Sequence, residues 1–321
     1  MEEMDFRSLL QFKSKNHHIG ILGIELLEGG LRAVNVSLSK DQRPVFVSAH
    51  FIPCSQENVC SQLSELIKKN KFKTCSITMG HGLYQLMLVD TPEVEDDELA
   101  SAMKWKVAEM TNQSVESIVV DAFRLPSDAY RGRMNMAYVA IIKRDLVSDL
   151  VTAIEAAGGQ LLSIGINELS MAKLFSWLPA FDDVSVALIK LDRTGGLMTL
   201  IENGNVYLCR ALDEHYSGKN LDEGVLEDLE NIDSLALDIQ RSLDYYESQL
   251  GKDGVELGFI FVEVEFGLNI TESLNERLPI PLIPFQAHEL FEELKGDCQA
   301  SHGPAIGAAL GGFNGSYDSG S

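Results

Sequence analysis

Residues 22–32 read LGIELLEGGLR: a strand-like run, the Gly29-Gly30 pair and a second strand-like run, with Glu25 and Glu28 as the acids between them. A nucleotide-binding fold places its first phosphate contact in a hairpin of this kind near the N-terminus. Two readings are open. The hairpin either binds phosphate, or it is the scaffold of such a site, with Gly29 and Gly30 serving as turn residues of positive φ. The remaining candidates are less organised. His17 and His18 are neighbours on one strand and face opposite sides, which makes a shared metal awkward. His81 lies between Gly80 and Gly82 with no acid or nucleophile identifiable as its partner, and reads as a loop residue. Asp213-Glu214-His215 and Glu227-Asp228 are rich in acid, but solvated helix faces carry such runs routinely, so no metal site is expected. Cys54, Cys60, Cys75, Cys209 and Cys298 form no CxxC pair and are odd in number, which points away from zinc and from a disulfide framework and fits a reducing cytoplasm.

An aromatic residue raises a different possibility. On the helix expected from Glu93, the apolar stripe is Leu99, Met103, Val107 and Met110, and Trp105 lies nearly opposite, among Glu98, Ser101, Glu109 and Asn112. Trp105 either packs under a neighbouring strand or contacts a partner chain. Tyr84, Leu86, Met134, Met136 and Tyr138, on presumed strands nearby, supply adaptable surface of the kind that peptide grooves use.

Periodicity defines the elements that must position these residues. From residue 17 the pattern is extended: HHIGILGIEL, then GLRAVNVSL, then PVFVSAHFIP after the polar SKDQR break. Val59, Leu63, Leu66 and Ile67 follow at helical spacing, and TCSITM is a further strand, giving the order βββαβ. The order returns in the second half. VSVALIKL, GLMTLIE and VYLCRAL are strands, with Gly195-Gly196 at the first turn and Asn203-Gly204, a type I′ signal, at the second. Leu229, Ile232, Ala236, Ile239, Leu243, Tyr246 and Leu250 form a helical stripe that Gly251 ends, before the strand LGFIFVEV. Two such units imply a duplicated α/β fold of the ribonuclease-H-like or actin-like type.

Between the units, Thr91 as N-cap and Pro92 in the first turn predict a helix to about Met110, followed by strand-like SIVVDAFRL and MNMAYVAII. A helix stopped by Gly158-Gly159 comes next, and LLSIGINELSMAKLF adds a strand and a helix. The expected organisation is a flexible segment at 1–16, a first lobe at 17–180 with an inserted αββ subdomain at about 80–143, a second lobe at 181–313, and a disordered tail or cloning scar at 314–321. Phe6, Leu9 and Leu10 beside Arg7, Lys13 and Lys15 fit a membrane-surface helix or a frayed terminus, and the frayed terminus is preferred.

Composition bounds the function. With 321 residues, 45% of them hydrophobic, the chain can bury a substantial core. Twenty-six Lys plus Arg against 48 Asp plus Glu give a formal charge of −22, which repels nucleic acid and anionic lipid and suits a basic peptide. No apolar run approaches the roughly 20 residues that cross a bilayer, and no secretion signal opens the chain, so a cytoplasmic location is expected.

These features together resemble the PilM-like, actin-fold proteins of type IV pilus assembly, most closely the MshI-type members that serve mannose-sensitive haemagglutinin pili. The resemblance covers residues 18–313 and rests on the order of ELASAMKWKVAEM, SIVVDAFRL, the run from YVAIIKRDL to NELSMAKLF, NGNVYLCRAL and GPAIGAALGG. Nucleotide-binding members show Asp-x-Gly followed by hydroxyl residues in the first hairpin, where amides and hydroxyls hold phosphate and the Asp positions hydrated Mg²⁺. Here Glu25 replaces the Asp, Leu27 and Glu28 replace the hydroxyls, and Glu28 places negative charge where a triphosphate would sit. In the second hairpin, counted back from Asn203-Gly204, Lys190-Leu191-Asp192 stands for the second Asp-x-Gly; shifting the register to make Asp192 the acid puts Arg193-Thr194 where glycine is needed. The adenosine-binding Gly-Gly after LGFIF is replaced by Val262-Glu263-Val264-Glu265.

The resemblance therefore implies a non-enzymatic cytoplasmic scaffold with no cofactor and a degenerate nucleotide site at Glu25, Glu28, Gly29, Gly30, Lys190, Asp192, Gly195 and Gly196. It implies capture of the cytoplasmic N-terminal tail of a single-span, PilN-like inner-membrane protein, in a groove near Tyr84, Leu86, Trp105 and Tyr138 between the first lobe and its inserted subdomain. The pilus motor ATPase is a further candidate partner, and the oligomeric state is left open. The competing class is an actin-like ATPase that binds ATP with magnesium; a sugar kinase is a distant third, since no phosphoacceptor base can be placed.

Overall fold

A computed structural model describes residues 20–70, 72–181, 183–192, 195–212, 229–262, 264–287 and 298–313. The N-terminal segment with His17 and His18, Arg193-Thr194, Asp213-Glu214-His215, Glu227-Asp228 and the tail at 314–321 lie outside the described residues. In chain order the elements are β1 (Ile21–Leu27), β2 (Gly30–Leu38), β3 (Pro44–Pro53), α1 (Val59–Lys69), β4 (Thr74–Met79), β5 (Gln85–Asp90), α2 (Asp96–Thr111), β6 (Ile118–Arg124), β7 (Met136–Lys143) and α3 (Arg144–Ala156). They continue with β8 (Gln160–Ile166), α4 (Asn167–Phe175), β9 (Ser185–Asp192), β10 (Gly195–Glu202), β11 (Asn205–Leu212), α5 (Leu229–Ser248), β12 (Leu257–Val262), α6 (Val264–Asn275), β13 (Leu282–Pro284) and α7 (Gly303–Gly312).

The expected duplication is present. One five-stranded sheet has the order β3-β2-β1-β4-β8 and the other β11-β10-β9-β12-β13. In each, two antiparallel hairpins lead to a central strand that pairs in parallel with the strand after the helix. Asn203 (φ 52°) and Gly204 (φ 71°) form the positive-φ turn that their sequence signals. Gly29 and Gly30 do not adopt positive φ. Gly30 is instead required by close approach of β3, since a Cβ there would lie 2.6 Å from the Ile52 carbonyl oxygen.

The chain divides into two compact units: residues 1–80, 149–178 and 286–321, and residues 81–148 with 179–285. This division departs from the lobes read along the sequence in two places. First, the C-terminal helix joins the first unit. α7 is buried from Gly303 to Leu310 and packs on β1 and α4 at backbone distance. A Cβ at Gly23 would sit 1.9 Å from the Ala305 carbonyl oxygen, and one at Gly307 would sit 1.8 Å from that of Ser170. GPAIGAALGG is therefore a close-packing helix, its small residues set by neighbouring backbone.

Second, the inserted segment joins the unit of the second sheet. It gains β5, so that a three-stranded sheet of order β5-β7-β6 is covered on one face by α2. Its other face packs on the core of the second sheet. The Tyr138 hydroxyl donates to the Cys209 carbonyl (3.2 Å) and accepts from the Cys209 N–H (2.8 Å) on β11. Asp128 receives Lys252 Nζ at 2.7 Å and the Tyr207 hydroxyl at 2.8 Å. Lys252 also pairs with Glu202. Burial opposes the lysine's charge, but these partners outweigh it and hold its pKa above the usual range. Beside them, Tyr130 (φ 54°), Arg131 (φ 56°) and Gly132 (φ 67°) form a left-handed turn. The two residues with side chains cost about 2–4 kcal/mol there. A 2.8 Å hydroxyl–hydroxyl bond from Tyr130 to Tyr245 offsets this, as does the Arg131 stem laid over Gly251, whose own φ is 79°.

The helix of the insertion also starts later than Thr91-Pro92 suggests. Glu95 is its N-cap, while Thr91 donates its N–H to the Asn135 carbonyl at 2.9 Å and accepts from Arg124 at 2.9 Å.

If α7 is set by backbone approach, Gly307→Ala should destabilise the protein by at least about 3 kcal/mol, whereas Gly29→Ala, with nothing within 4 Å, should change it by less than about 0.5 kcal/mol. Urea unfolding of the two variants checks the contrast; equal losses would contradict this packing.

Candidate functional site

The first hairpin is organised by its register. Leu27 pairs with Gly30, so Glu25 stands directly opposite Arg32 on β2 and, in the parallel direction, beside Thr78 on β4. Cross-strand neighbours share a face. Glu25 is 0% exposed and Arg32 3%. Arg32 Nη1 donates to Glu25 Oε2 at 3.0 Å, and Asn167 Nδ2, at the start of α4, donates to Oε1 at 2.9 Å. The Thr78 hydroxyl in turn donates to Asn167 Oδ1 at 3.2 Å. The Arg32 guanidinium also lies over the Phe51 ring, 5.9 Å from its centroid. Both carboxylate oxygens are thus engaged by protein donors in a buried site. Glu28 and Gly29 are exposed at the tip of the turn.

His302, at the N-cap of α7, is buried in the same unit; its Nδ1 accepts the Gln299 N–H at 3.2 Å and its Nε2 has no partner among the described residues. Burial and then the Arg32 charge push its pKa below the usual 6.5, with His50 adding to the effect and Gln299 and Glu25 opposing it.

In the second unit, Lys190 and Asp192 are two residues apart on β9, on one face, and form a buried ion pair with side chains 3% and 5% exposed. Gly195 lies opposite Asp192 with φ 134°, and Gly196 is pressed against Leu212. After β12 the chain passes directly into α6.

Tyr84, Leu86, Trp105 and Tyr138 all belong to the second unit, but they do not share a groove. Leu86 and Tyr138 face the core of the second sheet, and Tyr138 is 3% exposed and bonded to β11. Trp105 belongs to α2, which covers the opposite face of the three-stranded sheet. Tyr84 is half-buried. Leu99, Met103 and Val107 form the buried stripe of α2, while Met110, expected in it, is 53% exposed. Trp105 is 70% exposed, so it does not pack under a strand. It borders an open depression of about 590 Å³ with Glu109, Asn112, Ser114 and Val115.

Sequence reasoning did not select Arg32, Thr78, Asn167 or His302. The signal for Arg32 was available: with Glu28-Gly29 as a two-residue turn, residues 25 and 32 face each other. Asn167 and His302 come from distant segments that only folding brings to Glu25's unit.

The paired sheets, each built on a βββαβ order, define an actin-like α/β fold. No protein-family model and no curated protein matches the sequence. Among solved structures, a chain of the PilM–PilN type IV pilus biogenesis complex is similar with a TM-score of 0.70 at 17% identity, over 92% of this chain and 99% of that one. The cytoplasmic domain of EpsL, an inner-membrane component of the type II secretion system of Vibrio cholerae, has a TM-score of 0.48 at 11% identity over 90% and 94% of the two chains. A protein of unknown function with an actin-like ATPase fold from Bacteroides thetaiotaomicron has a TM-score of 0.49 at 10% identity over 88% and 93%.

Removing one member of a buried ion pair leaves the other uncompensated. Arg32→Ala should therefore cost about 3–5 kcal/mol in urea unfolding, and the double change Glu25→Gln with Arg32→Met clearly less. For His302, a folded pKa below the unfolded value means that stability is highest above about pH 6.5 and falls as pH drops through that value. His302→Asn, which keeps an acceptor for the Gln299 N–H, should flatten this part of the stability curve; an unchanged slope would assign it elsewhere.

Proposed function

We propose that this chain is a non-enzymatic scaffold of type IV pilus assembly, of the MshI type that serves mannose-sensitive haemagglutinin pili. It captures the cytoplasmic N-terminal tail of a single-span, PilN-like inner-membrane protein and couples it to the pilus machinery, the motor ATPase included. It works in the cytoplasm, peripheral to the inner membrane through that partner. The observation that carries this reading is the likeness to a chain of the PilM–PilN complex, which extends over nearly the full length of both chains. Two further features support it. Among the described residues no helix is long and apolar enough to cross a membrane. A body of charge −22 favours encounter with tails that the positive-inside rule enriches in Lys and Arg.

The chemistry at both hairpins supports a non-enzymatic role. A carboxylate that positions hydrated Mg²⁺ must present oxygens to water, and both oxygens of Glu25 are held by Arg32 and Asn167. Lys190 and Asp192 neutralise each other inside β9. These residues do not suit a magnesium–nucleotide complex, and no step of the proposed function passes through one.

Two measurements test the proposal. A ligand that binds the native state alone raises its stability by RT ln(1 + [L]/Kd), so ATP with Mg²⁺ at about 5 mM should move the melting temperature by less than about 1 °C. A shift of several degrees that Glu25→Ala abolishes would restore the ATPase reading. Affinity purification from membranes carrying the pilus machinery should recover a single-span protein with a basic cytoplasmic tail, and deletion of that tail should abolish recovery. Recovery independent of the tail would overturn the scaffold reading.

A further inference from the structure

On the face of α2 that carries Trp105, the indole, Glu109 and the C-cap Asn112 are all exposed. Trp105, Glu109 and Asn112 follow at spacings of four and three, one stripe of the helix, on the side away from the buried Leu99, Met103 and Val107. Ser114 and Val115 also line the depression they border. Three features beside Trp105 favour a cation. The indole face is the negative part of the ring quadrupole and attracts cations. Glu109 is an exposed carboxylate one turn on. The site lies at the C-terminal end of a 16-residue helix, the negative end of its dipole, and that last turn contains no basic residue. Lys106 also borders the depression, but its ammonium is tied to the Asp90 carboxylate at 2.8 Å and the Asp90 carbonyl at 3.0 Å. It does not fill the site from within.

We propose that this depression receives an arginine side chain from a short basic segment of a partner protein, stacked on Trp105 and paired with Glu109. Arginine fits better than lysine. Its planar guanidinium stacks on an indole while its N–H groups engage a carboxylate side-on, and it is more weakly hydrated than an ammonium. The half-buried Val115 gives the adjoining chain an apolar contact. The inference rests on the scaffold reading for the identity of the partner and adds to it a place and a recognition chemistry. Of the groove expected around Tyr84, Leu86, Trp105 and Tyr138, this place keeps Trp105 alone.

The test is calorimetric titration of the full chain with three acetylated and amidated peptides of one length: an Arg-Leu-Arg peptide, its citrulline counterpart and its Glu-Leu-Glu counterpart. The arginine peptide should bind saturably. The citrulline peptide, isosteric but uncharged, should bind at least about fivefold more weakly, and the glutamate peptide not at all. Trp105→Ala and Glu109→Gln should each weaken the arginine peptide at least about fivefold with the melting temperature unchanged, and Trp105→Phe should weaken it less than Trp105→Ala. Equal binding of the arginine and citrulline peptides, no binding of any, or indifference to both substitutions would each overturn the proposal. A membrane partner's tail that binds equally well to wild type, Trp105→Ala and Glu109→Gln would leave the scaffold reading standing and remove this site from it. Binding of the arginine peptide here, with no tail-dependent partner recovered from membranes, would do the reverse.

Discussion

A carboxylate and a guanidinium sealed between β1 and β2 set the terms for the first unit. Glu25 sits in a strand whose seven residues are all buried, with α7 packed on it at backbone distance. A charge in such a place is tolerable only when its oxygens are met by donors. The donors come from three segments far apart in the chain: Arg32 from the hairpin partner, Asn167 from the start of α4, and Thr78 behind Asn167 from β4. The pair therefore constrains the register of β1 with β2, the parallel pairing of β1 with β4, and the place of α4. The same hydrogen bonds occupy both carboxylate oxygens, so this one interaction supplies the structural specificity of the hairpin.

The second unit is held by a different device. A left-handed turn at Tyr130–Gly132 is unfavourable for residues with side chains, and it persists because its surroundings over-determine it. Tyr130 bonds Tyr245 on α5, Arg131 fits only because residue 251 has no side chain, and Asp128 is held by Lys252 and Tyr207. With the Tyr138 bonds to Cys209, these contacts fix the three-stranded sheet against the core of β9–β11. The cost of that docking is that Leu86 and Tyr138 are spent on packing. The exposed indole of Trp105 lies on the outer side of α2.

The chain carries a large negative excess, and its buried hairpin carboxylates Glu25 and Asp192 are paired with Arg32 and Lys190. An excess of this sign attracts basic chains and repels anionic ones.

The sequence by itself determined the elements and their duplication. The extended apolar runs of the strands, the Asn203-Gly204 turn and the long stripe of α5 are local signals, and they can be read without the tertiary structure. The Glu25–Arg32 pairing was also legible, given a two-residue turn. Tertiary structure decided the rest, because packing between distant segments overrides local preference. Thr91 looks like an N-cap, but the strand at Asn135 takes its N–H and the helix begins at Asp96. Gly30 looks like a positive-φ turn residue, but it is small because β3 crosses it. Tyr138 reads as adaptable surface until β11 supplies both its hydrogen bonds. Met110 fits the helical period but lies near the helix end, where the sheet no longer covers it. Residues 303–312 fall in the second lobe as read along the sequence but pack in the first unit, because there backbone carbonyls approach closely enough to require its glycines.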